Sequence, residues 1–199
     1  MDEKFGGLTV TAPEGEKKVL LHTCCAPCSS AIIECLVRSG IVPTIYYCNP
    51  NIYPEDEYLI RKNECSRYAA SLGLDMVDCD YDHLSWLEDV KGLEAEPERG
   101  GRCLQCFKFR LDSAARYASE HGFRVLTTTL ASSRWKSLDQ INEAGAWAVS
   151  RHPGVIWWDQ NWRKGGLQER RGQIIKEYGF YNQQYCGCEF SLRGRYRQE

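Results

Sequence analysis

Short apolar runs alternate along this chain with longer segments whose apolar positions recur every three to four residues. "KKVLLHT" is a β-forming run with almost no polar interruption, the pattern of a strand buried on both faces. "SSAIIECLVRSG" follows with helical spacing and stops at Gly40. "TIYYCNP" predicts a second strand, ended by Pro50. "PEDEYLIRKNECSRYAASLG" predicts a long helix with Pro54 at its start, acidic residues in its first turn and Gly73 at its end. The spacing places Tyr58, Cys65, Tyr68, Ala69 and Leu72 on its buried stripe.

The alternation continues to the end of the chain. "LDMVDCD", "RVLTTTL" and "GVIWW" predict three further strands. "FKFRLDSAARYASEHG", "LDQINEAGAWAVSR" and "LQERRGQIIKEYG" predict helices, the first burying Phe107, Leu111, Ala114, Ala115 and Ala118. Residues 91–102, "KGLEAEPERGGR", read as a polar loop inserted before a cysteine pair. Strands alternating with helices imply an α/β fold, a mainly parallel five-stranded sheet with helices on both faces. The expected organisation is one domain over 1–199, with 1–16 and 192–199 as peripheral tails. Ligands of such sheets bind at the carboxyl ends of the strands. Cys24 and Cys25, Asn49, Asp80, and Ser132 with Ser133 follow or end the first four strands, and should converge there.

Composition sharpens this picture at two points. The chain has 199 residues, 11 of them cysteine, and no apolar run of the length a membrane helix requires. Without a secretory pattern at the N-terminus, the expected location is cytoplasmic. There thiols stay reduced, so cysteines in such number point to metal ligation or redox catalysis rather than structural disulfides. Net charge is −2 overall, but residues 1–90 hold 7 Lys+Arg against 15 Asp+Glu, and residues 91–199 hold 18 against 12. A basic second half is compatible with a polyanionic partner, or with a solvated surface.

Three cysteine groups carry the candidate chemistry: "CCAPC" at 24–28, "GGRCLQC" at 101–106 and "YCGC" at 185–188. Cys35, Cys48, Cys65 and Cys79 lie within strands or helices and read as small core residues. Cys103 and Cys106 form a Cys-x-x-Cys turn leading into a helix, a chelating geometry shared by zinc, iron–sulfur and dithiol sites. "CAPC" alone resembles a thioredoxin-type pair, which needs neither Cys24 nor the other two groups. Neighbouring side chains diverge, so adjacent cysteines suit a cluster or two metal centres better than one small ion. Six or seven thiols exceed the four ligands of a structural zinc, and soft thiolates in surplus favour iron–sulfur. Cys186 and Cys188 could form a strained, reducible disulfide or complete a metal site.

Taken together, "LLHTCCAPCSS", "YYCNPNIYPEDEY", "GGRCLQCFKFRL", "TTTLASS", "NWRKGG" and "YNQQYCGCEFS" resemble the cobalamin-independent epoxyqueuosine reductases, the QueH family, across roughly residues 17–191. The resemblance implies an oxidoreductase acting on tRNA that carries epoxyqueuosine at the wobble position. It would remove the epoxide oxygen to leave queuosine, the last step of queuosine biosynthesis. It also implies an adenine-nucleotide alpha hydrolase-like fold, a [4Fe-4S] cluster with an adjacent mononuclear iron, and an external, unidentified electron donor. Residue by residue, Cys24, Cys25, Cys103 and Cys106 match cluster-linked cysteines. Cys186 and Cys188 match a pair regarded as redox-active, or as ligands near the second metal. Asp80 matches a carboxylate near the end of the third strand, with Asp78 and Asp82 as close alternatives, and Cys28 lies in the same motif as the cluster cysteines.

An RNA substrate needs phosphate contacts, for which Arg134, Lys136, Arg163 and Lys164 are the candidates. Trp135 and Trp162 are interleaved as stacking platforms, while Arg170 and Arg171 read as solvated surface. Asp80 and Tyr185 are candidate proton donors to the departing oxygen. Two rival classes fit less well. An ATP-using enzyme of this fold class would place a glycine-rich phosphate loop after the first strand, where this chain has "TCCAPCSS", so no ATP is expected. A non-catalytic zinc module for RNA would need no redox metal.

Overall fold

The computed structural model describes residues 7–191. Five strands, β1 (Lys18–His22), β2 (Val42–Tyr47), β3 (Met76–Asp78), β4 (Val125–Thr128) and β5 (Ile156–Trp157), form one parallel sheet in the order β3-β2-β1-β4-β5. The central strand pairs on both sides, His22 with Tyr46 of β2 and with Thr128 of β4. Val19, Leu20 and Leu21 have no exposed surface, as a run covered by helices on both faces requires.

Among the described residues five α-helices lie between the strands, α1 (Ala26–Arg38), α2 (Glu55–Ser71), α3 (His83–Asp89), α4 (Gly101–Glu120) and α5 (Leu138–Ser150), and a sixth, α6 (Leu167–Tyr178), follows β5. α1 packs against α2 and α6, and α4 packs against α5, β1 and β4. The α5 layer approaches the sheet very closely. A Cβ on Gly145 would run into the Trp157 ring, so only glycine fits there. The sheet grows outward from β1 to β2 and β3 on one side and from β4 to β5 on the other. The switch in direction therefore falls between β1 and β4, where open α/β sheets bind ligands at their carboxyl edge.

Several expectations change in detail. On α2, Tyr58, Cys65, Tyr68 and Ala69 are buried as predicted, but Leu72 is 40% exposed because the helix ends at Ser71. Arg61 and Glu57 take interior positions instead, as an ion pair. Residues 83–89, which carry no long apolar period, form α3. Asp82 starts it by accepting from the Ser85 N–H at 3.1 Å, and Trp86 is its buried anchor. α4 begins at Gly101, so Cys103 and Cys106 lie inside its first two turns rather than in a turn preceding it. Buried Arg102 organises the loop before them by donating to the carbonyls of Glu94, at 2.8 Å, and of Glu96. Residues 7–16 lie against α1: Ala12 is buried, and the Leu8 carbonyl accepts from the Cys35 thiol at 3.0 Å. Residues 192–199, read as a tail, lie outside the described residues.

Candidate active site: thiols at the carboxyl edge of the sheet

The first cysteine group occupies the junction of β1 and α1. Cys25 is extended (φ −173°, ψ 160°) and forms the N-cap of α1, with Pro27 in the first turn. The chain thus turns sharply from strand to helix between two cysteines. Contrary to the expected divergence, their side chains converge. The sulfurs of Cys24, Cys25 and Cys28 all lie within 4.8 Å of one another, and Cys24 Sγ is 3.8 Å from Cys25 Sγ. Thr129, just past β4, reaches across the switch point. Its Oγ1 accepts from the Cys24 N–H at 3.2 Å and donates to Cys24 Sγ at 3.5 Å.

These thiols share charge unevenly. Hydrogen bonds from Cys25 and Cys28, assisted by the nearby Lys136 ammonium, hold the Cys24 thiol well below its usual range. Burial and the Cys24 charge push Cys25 up, and contact with Cys24 pushes Cys28 up to about 11. Three sulfurs at a helix N-terminus, Cys24 the most readily ionised of them, form a soft donor set that suits iron or an iron–sulfur cluster. Gln183 Nε2 donates to Cys25 Sγ at 3.1 Å and closes the set from the C-terminal segment.

The floor beneath is polar and fully buried. His22 Nε2 lies 3.1 Å from the Cys48 carbonyl, which can only accept, so Nε2 carries the proton and Nδ1 accepts from Thr128 Oγ1 at 2.7 Å. Arg110 of α4 donates to the same carbonyl at 3.2 Å and to Asn49 Oδ1. Asn49 in turn donates to the Thr23 carbonyl at 2.9 Å.

The other two groups approach from α4 and the C-terminal segment. Cys106 and Cys188 pack with Trp86 and Val90 in a small second core under α3. Cys103 Sγ accepts from the Arg99 N–H at 3.3 Å. Burial raises Cys103 to about 11, and burial with the Cys186 charge raises Cys188 to about 12. Cys106 and Cys188 share that second core, so the two groups meet there. They do not join the first group in one close set: among the described residues, Cys24, Cys25 and Cys28 are the three that meet within ligand distance.

The Cys-Gly-Cys loop is held from α2. Arg61, 2% exposed, donates to the carbonyls of Cys186 at 3.2 Å and Tyr185 at 3.3 Å. Glu57 pairs with Arg61 and also accepts from Tyr181 Oη at 2.9 Å. The Gly187 carbonyl accepts from the Tyr53 N–H at 2.9 Å, and Gly187 itself lies at φ 127°, a conformation that favours glycine.

Lys136 is where the sequence reading departs furthest from the structure. Instead of facing solvent with the phosphate candidates, its Nζ lies 3.5 Å from Cys186 Sγ. Burial works against its charge, but Cys186, Cys24 and Cys28 outweigh it and raise the ammonium's pKa. The Arg163 guanidinium fixes the loop by donating to the Lys136 carbonyl at 2.8 Å. Arg134 and Lys164 are exposed, and Trp135 is 80% exposed at the rim. Trp162, expected to stack on a base, is fully buried against Trp158 and unavailable. Arg170 pairs with Glu34 and Glu177, and Arg171 donates to the Pro27 carbonyl at 2.9 Å, so both join α6 to α1.

Asp80 is exposed at φ 56°, and among the described residues it has no hydrogen-bond or ion-pair partner. Asp78 is engaged by Tyr58 and Lys62, and Asp82 caps α3. Tyr185 Oη donates to the Tyr53 carbonyl, and burial raises it to about 12. Sequence reasoning missed the inward roles of Lys136, Arg61, Arg110 and Gln183. Arg110 and Gln183 stand within four residues of a cysteine motif, which was the available signal, whereas Lys136 and Arg61 lie far from every motif in sequence and their pairing depends on tertiary contacts. No helix among the described residues is long and apolar enough to cross a membrane.

The architecture is that of an α/β protein with a five-stranded parallel sheet, in which thiols occupy the carboxyl edge. A predicted tRNA methyltransferase subunit of Methanocaldococcus jannaschii shares the fold, with TM-score 0.52, 14% identity, and 83% of this chain and 93% of that one covered. The family model for epoxyqueuosine reductase QueH matches residues 19–194, and the chain belongs to that family. Epoxyqueuosine reductase QueH of Haemophilus influenzae is 50% identical over 94% of this chain and 77% of its own length. The Histophilus somni protein of that name is 51% identical over 91% of this chain and 74% of its own, and the Thermotoga maritima one 34% identical over 89% and 91%.

Proposed function

We propose that this protein reduces the epoxide of epoxyqueuosine at the wobble position of tRNA, giving queuosine. The observation that carries the reading is the meeting of three thiols at the sheet's switch point, with a lysine and a second dithiol beside them. Membership of the QueH family supplies the substrate. The reaction adds two electrons and two protons to the epoxide, breaks both C–O bonds, and releases the oxygen as water.

By the family resemblance, Cys24, Cys25, Cys103 and Cys106 would hold a [4Fe-4S] cluster, which would have to span from the first group to the α4 pair, and Cys28 is a further thiol within reach of Cys24 and Cys25. Bound there, the cluster with an adjacent iron would supply single electrons and Lewis acidity. Lys136 Nζ holds a proton beside Cys186 and donates it toward the departing oxygen, a role its position supports better than those of Asp80 or Tyr185. Cys186 and Cys188 act as a dithiol: closing to a disulfide releases the two electrons and two protons that one turnover consumes, one of these protons replacing the one that Lys136 gives up. An external donor then reopens it. Arg61 keeps this loop over the site. Trp135, with Arg134 and Lys164, forms the rim that meets the anticodon.

The test is anaerobic incubation of iron-reconstituted protein and a strong reductant with epoxyqueuosine-bearing tRNA, followed by mass analysis of its nucleosides. Queuosine should appear as epoxyqueuosine is lost. Absence of product, with iron and acid-labile sulfide bound, refutes the activity. Stoichiometric zinc without sulfide after iron-replete expression would favour a structural module.

A further inference from the structure

Two thiols outside this site remain unexplained. Cys48 and Cys79 sit one residue beyond the carboxyl ends of β2 and β3. The ladder pairs Tyr47 with Asp78, and the Cys79 N–H still donates to the Tyr47 carbonyl at 3.1 Å, so the two cysteines are the next in-register pair. Neighbouring strands lie about 4.8 Å apart, inside the roughly 4.4–6.8 Å between Cα atoms that a disulfide spans, and paired residues direct their side chains to the same face. The thiols meet accordingly, Cys79 Sγ lying 2.8 Å from Cys48 Sγ. Ser113 of α4, held by Tyr46 Oη at 3.0 Å, touches Cys79 Sγ at 3.5 Å. Cys48 is 1% exposed, whereas Cys79 is only partly buried.

We propose that Cys48 and Cys79 are a second dithiol, which closes to a disulfide by exchange with a small disulfide of the glutathione class. Cys79, the accessible partner, attacks the small disulfide as its thiolate. A Cys79–glutathione bond forms, one glutathione leaves, and the thiol proton goes to solvent. Cys48 then attacks Cys79 Sγ and expels the second glutathione. One small disulfide is reduced to two thiols as the protein pair is oxidised, so electrons and protons balance. The bond would clip β2 to β3 beside the Cys48 carbonyl, where His22 and Arg110 both bind, and so fix the floor of the site. This inference goes beyond the proposed reaction and does not rest on it.

The two cysteines are each alone in their tryptic peptides, 39–61 and 68–91, so the bond is directly readable. Anaerobically purified, cluster-loaded protein would be equilibrated with reduced and oxidised glutathione at a series of ratios. Acid quenching, N-ethylmaleimide blocking, digestion and mass analysis follow. The expected product is the cross-linked peptide pair, two hydrogens lighter than the reduced pair and increasing with the oxidised fraction. In Cys48→Ser, Cys79 should instead accumulate as its glutathione adduct. Recovery of both cysteines as maleimide adducts at every ratio in the wild type overturns the proposal, as does a bond from Cys79 to any other cysteine. Failure of the proposed tRNA reaction would leave this readout unchanged.

Discussion

Replacing Lys136 with methionine separates two roles for a single side chain. As a phosphate ligand, the ammonium would contribute to tRNA affinity and hardly at all to the chemical step. As the donor to the departing oxygen, it would contribute almost entirely to the step. The structure favours the second, because Nζ is 3.5 Å from Cys186 Sγ rather than at the surface. Loss of one pre-placed donor to a developing oxyanion costs roughly 100- to 1,000-fold in rate. Lys136→Met should therefore lower saturating single-turnover conversion of epoxyqueuosine by that factor. The slope of tRNA affinity against salt should stay unchanged. Arg134→Ala should do the reverse, reducing the slope by roughly 0.7–0.9, the share of one phosphate contact, with an unaltered rate at saturation. The assay is quench-flow with nucleoside mass analysis, alongside filter binding across salt. A Lys136→Met protein that keeps its rate at saturation and loses one phosphate's worth of salt dependence would refute the assignment.

Trp135→Ala should weaken tRNA binding by about 1–3 kcal/mol, the range for one base–aromatic stack, without changing the rate at saturation; an unaffected Kd would exclude stacking there. Gly145→Ala should destabilise the fold although alanine is the better helix former by about 1 kcal/mol, because the new methyl meets Trp157. Overpacking of roughly 1–3 kcal/mol should dominate, so calorimetry should give a lowered Tm, and a raised Tm would contradict the close packing. Arg61→Met leaves Glu57 buried with Tyr181 as its remaining partner and should cost about 3–5 kcal/mol in urea unfolding. Alkylation of Cys186 should accelerate in the same variant, and unchanged kinetics would show that Arg61 does not hold the loop.

What the sequence made legible, and what it hid, follow from one distinction. Elements that bury continuous apolar runs or regular stripes carry their own signal, so the five strands and the stripe Phe107–Ala118 of α4 were readable at once. α3 was not, since a seven-residue helix anchored by one tryptophan has too few apolar positions to show a period. The cysteine groups were legible as chemistry, because thiols in surplus at strand ends have few other uses. Their mutual geometry was not. Cys24 and Cys25 converge only because Cys25 is extended at a helix N-cap, a backbone state that local composition does not specify. Charged residues were misread most often, and for a physical reason. Lysine and arginine are surface residues by default, and that default fails where thiolates or a buried carboxylate supply the missing counter-charge. Lys136 beside Cys186 and Arg61 beside Glu57 are both such cases. In a thiol-rich chain, a basic residue is therefore better weighed first as a partner of the thiols and only afterwards as a contact for RNA, even where, like Lys136, it lies far from every cysteine motif in sequence.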